Sequence, residues 1–361
     1  MGLPMKVGVI GCGTISGIYF HNMTKLSGLD VVACADLVDE RSRAVQDRYP
    51  EVQAMTADEL LADPSIDIVV NLTQPGNHFD VMKAGIAAGK HVYGEKPLCS
   101  SPEEAAELLS LAATAGLRVG GAPDTFLGAG IQTCRELIDE GVIGDPIAAT
   151  AFMTNHGHES WHPDPAFYYK PGAGPMLDMG PYYLTALANL LGPAERVTGS
   201  ARITFPERTI TSEPLNGAKI EVEVPTHVAG TVDFTNGAVA TVITTFDVWA
   251  ANLPSIEIYG SEGSLSVPDP NTFGGPVRVW TQESKDWEEV PITKPFSENS
   301  RGLGVADMAD AIAGNRPASA SGELGAHVLE IMHAFGLSSD SGRRINVKTT
   351  CERPAALSLR E

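Results

Sequence analysis

The stretch Val7-Gly8-Val9-Ile10-Gly11-Cys12-Gly13-Thr14-Ile15-Ser16 constrains this chain more than any other. An apolar, β-branched run ends in Gly11-x-Gly13, with Ser16 in the third small-residue position and a helical pattern after it. In such a turn the first glycine permits the sharp reversal, and the second lets backbone approach a pyrophosphate. The helix that opens at Thr14 and Ile15 adds N–H donors and the positive end of its dipole. A second apolar run, 30–36, closes on Asp36, about 20 residues beyond the turn, where an acid meets a ribose hydroxyl. Glycine turn, helix and acid together read as a dinucleotide site. Asp36 accepts from a 2′-OH and repels a 2′-phosphate, so NAD is expected over NADP, although Arg41 and Arg43 follow closely.

The same rhythm continues to about residue 125. Apolar runs at 6–11, 30–36, 66–73, 90–96 and 117–121 alternate with helical patterns at 39–49, 78–88 and 103–115. The last helix carries Ser101 as N-cap, Pro102 in its first position and Gly116 just past its end. Strands buried on both faces and separated by helices predict a doubly wound parallel sheet of the Rossmann type. Residues 1–125 are therefore expected to form a nucleotide-binding domain. Beyond them come a helix at 131–140, a strand from Ile147, an aromatic, Gly- and Pro-rich stretch at 155–175 and a helix at 181–191. Residues 194–291 are strand-rich, with turn signals at Asn236-Gly237 and Glu262-Gly263, and helices follow at 303–313 and 323–337. Residues 126–361 are expected to form an α+β domain with a large, open, mostly antiparallel sheet. An open sheet face suits pairing of subunits, so a homodimer or homotetramer is expected.

Composition removes other classes. A formal net charge of −20 repels nucleic acid and anionic lipid. No run reaches the ~18 apolar residues of a membrane span. Five scattered cysteines without a C-x-x-C, and a start without a signal-peptide pattern, suit a soluble cytoplasmic protein.

Three further segments carry a family resemblance. Glu95-Lys96-Pro97 stands at the end of the strand at 90–96. Thr73, Pro75 and His78 stand in "NLTQPGNH", and Asp178, Gly180 and Tyr182 in "GAGPMLDMGPYYLTAL". With the glycine turn they resemble the Gfo/Idh/MocA oxidoreductases over essentially the whole chain. The resemblance implies hydride transfer between NAD and a carbinol carbon of a sugar, sugar derivative or cyclitol. It implies Lys96, Asp178 and Tyr182 as catalytic groups, and Thr73, Pro75, His78, Glu95 and Lys96 around the cofactor. Tyrosine stands at 182 where the commonest pattern has histidine, and Thr185 where it has aspartate. Lys96, with its pKa lowered by partial burial, would meet the reacting hydroxyl. Tyr182, drawn down by the neighbouring cation, would share the proton work. Related families imply an alternative: a glycoside hydrolase or lyase that oxidises its sugar transiently and recycles bound NAD.

His158-Glu159-Ser160-Trp161-His162 fits the zinc signature H-E-x-x-H. Gly157 before it and Pro163 after it oppose the ligand helix that zinc would need, so no metal is expected. The segment is read instead as a sugar-binding loop ahead of Asp178. His156, Trp161, His162, Asp164 and Tyr168 are its candidate substrate contacts, with Asp124 at the domain junction.

Overall fold

A computed structural model describes residues 3–357 and 359 of the chain. The N-terminal part is a six-stranded, all-parallel sheet of order β3-β2-β1-β4-β5-β6. Its strands are β1 (Met5–Ile10), β2 (Leu29–Ala35), β3 (Gln53–Ala54), β4 (Ile68–Asn71), β5 (His91–Gly94) and β6 (Val119–Gly121). The helices between them are α1 (Ser16–Met23), α2 (Asp39–Arg48), α3 (Ala57–Ala62), α4 (His78–Ala87) and α5 (Pro102–Ala115). Val7, Val9, Ile68, Val69 and Val70 are fully buried, as the unbroken apolar runs demand of strands covered on both faces. α5 starts and stops as its sequence signals require: Ser101 Oγ accepts from the Glu104 N–H at 3.2 Å, and Gly116 takes the left-handed conformation. α3 escaped notice because it is short. Its Thr56…Glu59 capping box is the signal that marks it. Strand order reverses between β1 and β4, so the crevice for a dinucleotide opens at their C-terminal ends.

The second part is built on a nine-stranded sheet of order β16-β15-β14-β13-β7-β12-β11-β8-β17. Its strands are β7 (Pro146–Thr154), β8 (Ala194–Arg202), β11 (His227–Phe234), β12 (Val239–Thr245), β13 (Ile256–Gly260), β14 (Gly263–Val267), β15 (Val277–Thr281), β16 (Trp287–Val290) and β17 (Ile345–Asn346). Only β7 and β12 pair in parallel; the other neighbours are antiparallel. A separate hairpin pairs β9 (Glu207–Thr209) with β10 (Lys219–Glu221). Between β10 and β11 the strand-rich stretch is interrupted around Pro225, which cannot donate to a ladder. Helices α6 (Ala129–Asp139), α7 (Pro175–Leu191) and α9 (Gly322–Ser341) pack on the large sheet. Along β7, Ala149, Ala151 and Met153 are buried while Thr150, Phe152 and Thr154 are half-buried, the alternation of a sheet covered on one face.

α7 begins six residues before the expected start. Pro175 occupies its first position, and Pro181, read from sequence as the start, lies inside the helix. That shift puts Asp178 in the first turn. α8 (Leu303–Ala313) packs on α1 and β6, and α9 on α5, β6 and β8, so α9 touches both sheets while α8 packs on the first.

Candidate active site

The turn after β1 is shaped by close backbone approach. Gly11 has φ +104°, and a Cβ there would lie 2.6 Å from the Leu72 carbonyl carbon at the end of β4. At Gly13 a Cβ would meet nothing within 4 Å, so its freedom faces open space rather than protein. Thr14 and Ile15 are exposed beside it, and Ser16 Oγ donates to Gly13 O at 2.7 Å. Asp36 holds the turn from below. Its Oδ2 accepts from the Cys12 N–H at 2.7 Å and its Oδ1 from the Val38 N–H at 2.9 Å. A carboxylate has further lone pairs for ribose hydroxyls. Arg41 stands 3.7 Å from Asp36, and Arg43 is drawn to Asp39 instead. The residues present fit a dinucleotide.

β4 and α4 supply the next layer. Asn71 is fully buried; its Oδ1 accepts from the Thr73 N–H and hydroxyl, and its Nδ2 donates to His78 O. Pro75 lies exposed in a single 3-10 turn. His78 corrects the expectation of a cofactor contact. Its ring is fully buried, with Nδ1 2.7 Å from Pro97 O and Nε2 3.1 Å from Thr73 O. It ties the Thr73 loop to the residue after Lys96, with both ring nitrogens taken by protein.

At the end of β5 Glu95 turns inward. Its Oε1 accepts from the Tyr19 hydroxyl of α1 at 2.7 Å, and its Oε2 from the Lys96 N–H at 2.9 Å. Lys96 points the other way, toward α7. Its Nζ donates to Asp178 Oδ1 and to Asp178 O, both at 2.8 Å. The Asp178 carbonyl, in the first turn of α7, thus receives the lysine together with its carboxylate. This pair joins the cofactor sheet to the second sheet's helix.

Two expectations about acidity are overturned here. Burial pulls the Lys96 pKa down more than any single neighbour raises it. The Asp178 charge and hydrogen bond together with Tyr182 and Glu95 outweigh it, and the net shift is upward. Lys96 is thus a firm ammonium. Tyr182 is buried with its ring 5.4 Å from Lys96 Nζ. Burial pushes its pKa up, against the downward pull of Lys96 and of Arg301. Its phenol therefore keeps its proton at neutral pH.

The 155–175 stretch reaches the same place. Residues 158–162 form a turn, not a helix, with the His162 N–H donating to His158 O at 3.0 Å. Glu159 faces away into the protein and pairs with Arg208, so it is no general base. His158 faces Asp178, Nε2 to Oδ2 at 3.7 Å, with its ring flat on Tyr168. Burial, followed by the Asp178 charge, pushes the Tyr168 phenol up to about 12. Trp161 is exposed at the mouth, and Asp164 is exposed with its N–H on His162 Nδ1. His156 stacks on Trp249 at 3.3 Å between centroids, and its carbonyl accepts from Arg208. Among the described residues no group of three or more His, Cys, Asp or Glu is arranged to hold a metal ion.

Asp124 is the remaining correction. It is buried, and its Oδ2 accepts from the Gly302 and Gly304 N–H groups at 2.8 and 3.0 Å. It caps α8 instead of meeting substrate, and burial pushes its pKa up to about 6.

The structure thus brings Lys96, Asp178, Tyr182 and Tyr168 together, and adds two groups no motif singled out. His158 reads from sequence only as part of the H-E-x-x-H match and not as a substrate contact. Arg301, held by Asn271 Oδ1 at 2.7 Å, comes from a loop far along the chain with no pattern of its own.

Comparison with known proteins agrees with the two-part fold. Residues 5–121 match the profile of the oxidoreductase family with NAD-binding Rossmann fold, and residues 131–266 match the GFO/IDH/MocA C-terminal domain. The chain belongs to the Gfo/Idh/MocA oxidoreductase family. An oxidoreductase of Schizosaccharomyces pombe is 28% identical over 242 residues, 61% of this chain and 64% of that protein's length. The 1,5-anhydro-D-fructose reductase of Ensifer adhaerens is 28% identical over 348 residues, 95% of this chain and 98% of its own. An NAD binding oxidoreductase from Klebsiella pneumoniae shares the fold, with TM-score 0.82 and 23% identity over 96% of this chain and 99% of that one. The Rossmann half of this Gfo/Idh/MocA oxidoreductase is its NAD-binding domain. None of its described helices is long and apolar enough to cross a membrane.

Proposed function

We propose that the protein interconverts a secondary alcohol and a ketone on a sugar, sugar derivative or cyclitol, with NAD as its hydride partner. The observation that carries this reading is the Lys96–Asp178 pair, standing where the C-terminal edge of the cofactor sheet meets the second domain. When bound, the nicotinamide accepts or supplies the hydride. The Lys96 ammonium then donates to the reacting oxygen and stabilises its developing negative charge. Asp178 orients that ammonium through two hydrogen bonds. Tyr182 covers the lysine from one side as a protonated phenol. Trp161 and Tyr168 offer aromatic faces to the C–H face of a sugar ring. The relative from Ensifer adhaerens, a reductase of an anhydro-sugar by name, supports the substrate class. Gly11, Gly13, Thr14, Ile15, Thr73, Pro75, Glu95 and Lys96 line the proposed path of the cofactor. Asp36, set where the ribose 2′-hydroxyl would lie, favours NAD over NADP.

The test is an assay of the purified protein with NAD⁺ and NADP⁺ against sugars, polyols, cyclitols and glycosides. Stoichiometric NADH absorbance with at least one of them, and a lower KM for NAD⁺, is the expected result. Aglycone release without net NADH would replace this reading with redox-assisted glycoside cleavage.

A further inference from the structure

We propose that His158 takes up the hydroxyl proton during oxidation and returns it during reduction, with Asp178 as counter-charge to the imidazolium. This rests on the alcohol–ketone chemistry proposed above. The need for such a group follows from the site itself. Hydride departure breaks the substrate C–H bond, and ketone formation also requires the O–H bond to break. The electron pair of the C–H bond reduces the nicotinamide, and the proton must form a bond elsewhere. Lys96 is already an ammonium, and Tyr182 and Tyr168 are already phenols. The ammonium has no lone pair, and a phenol oxygen is far too weak a base to take the proton at neutral pH.

His158 can take that proton. Asp178 turns its two oxygens to two different groups: Oδ1 lies 2.8 Å from Lys96 Nζ, and Oδ2 lies 3.7 Å from His158 Nε2. The longer distance is beyond a direct hydrogen bond, so no bond to Asp178 holds a proton on Nε2. A hydroxyl oxygen accepting from Lys96 beside Asp178 would be within reach of that nitrogen. Once the proton arrives, the imidazolium faces a carboxylate. The ring is held for this: it lies on Tyr168 at 3.7 Å and 6°, and Phe246 meets it edge-on at 4.7 Å. It is 7% exposed, and Nδ1 has no hydrogen-bond partner among the described residues.

The charged and titratable groups around it act in both directions. Burial lowers its pKa and keeps the ring neutral; Asp178 of α7 and Glu159 of its own turn raise it; His162 and Lys96 lower it. The net shift is downward, so the base form is the resting form. In the pH profile, oxidation should fail on the acid side, below the ordinary imidazole value of about 6.5.

The experiment has two arms on the full-length protein. In the first, His158→Gln is assayed with the substrate found in the panel. A fall in kcat by about 10² or more, loss of the acid limb of kcat/KM, unchanged NADH binding and partial rescue by added imidazole are expected. Retained turnover with the limb intact would overturn the proposal. In the second, the wild-type protein with NADH, labelled with ¹⁵N-histidine, is titrated by NMR. His158 should titrate below about 6.5, with Nε2 the unprotonated nitrogen of the neutral ring, and lower still in Asp178→Asn. A titration at or above that value, or a proton resident on Nε2, would overturn it. Should His158→Gln not fold, His158→Asn replaces it in the first arm, and the titration decides in either case. If no compound in the panel reduces NAD⁺, the functional reading fails while the second arm still judges His158.

Discussion

Two ionic clusters draw on adjacent residues, His158 for one and Glu159 for the other, and they are built differently. Around Arg208 each guanidinium nitrogen has a partner, and Glu159 Oε2 is left without one among the described residues. Nε donates to Glu159, Nη1 to Asp247 at 2.7 Å, and Nη2 to the carbonyls of His156 and Phe246. The Thr226 hydroxyl occupies the second oxygen of Asp247 at 2.8 Å. Around Lys96 the arrangement is left open. The ammonium and carboxylate side chains keep 18% and 17% exposure, and one side of Asp178 faces His158 across a gap. A buried cation whose nitrogens are all taken by protein has no donor free for a ligand. One with an unfilled side and a firm charge can receive a reacting group.

The comparison breaks most easily at Arg208. Arg208→Met would leave Glu159 and Asp247 buried without their cation, and loss of one member of a buried pair costs about 3–5 kcal/mol. Urea unfolding should show a loss of that order. A loss under about 1 kcal/mol would mean the network relaxes and is not closed after all.

Lys96→Ala should do the opposite. Its pair is partly solvated, so the unfolding free energy from urea titration should fall by no more than about 1 kcal/mol. Turnover should fall by about 10² or more, equivalent to about 2.7 kcal/mol of transition-state stabilisation, with NADH affinity largely retained. Equal loss of stability and turnover would erase the distinction between the clusters.

This contrast also marks where the sequence stops being readable. Periodicity and local signals made the parallel sheet legible, because buried strands and capped helices are each dictated by neighbours in sequence. Gly11, Asp36, Lys96 and Asp178 were legible as motif positions. Asp124 and His78 were not, since their roles depend on which distant backbone arrives beside them: Gly302 and Gly304 for one, Pro97 and Thr73 for the other. Acidity failed for the same reason. A lysine's burial can be guessed from its motif, but its neighbours together decide the sign, and here they reverse the guess. Pro181 misled because a proline more often opens a helix than sits inside one.

Asp124 stands between the two clusters in kind and should give the smallest effect. It is fully enclosed like Arg208, yet its partners are two backbone N–H groups rather than a charge. Its folded pKa of about 6 lies above the unfolded value near 3.9, so the folded chain binds the proton more tightly. Stability from this group is therefore fully present below about pH 4 and declines as pH rises to about 6. Asp124→Asn keeps an acceptor for the α8 cap and removes the charge. Its stability should lie within about 1 kcal/mol of the parent near pH 7. The difference should also move in the variant's favour between about pH 4 and pH 6, which urea titrations at the two ends would read. A difference that stays constant with pH would show that Asp124 ionises in the fold as it does in water. The helix cap would then have to be as strong for the anion as an ion pair, and burial alone would no longer separate the closed cluster from the open one.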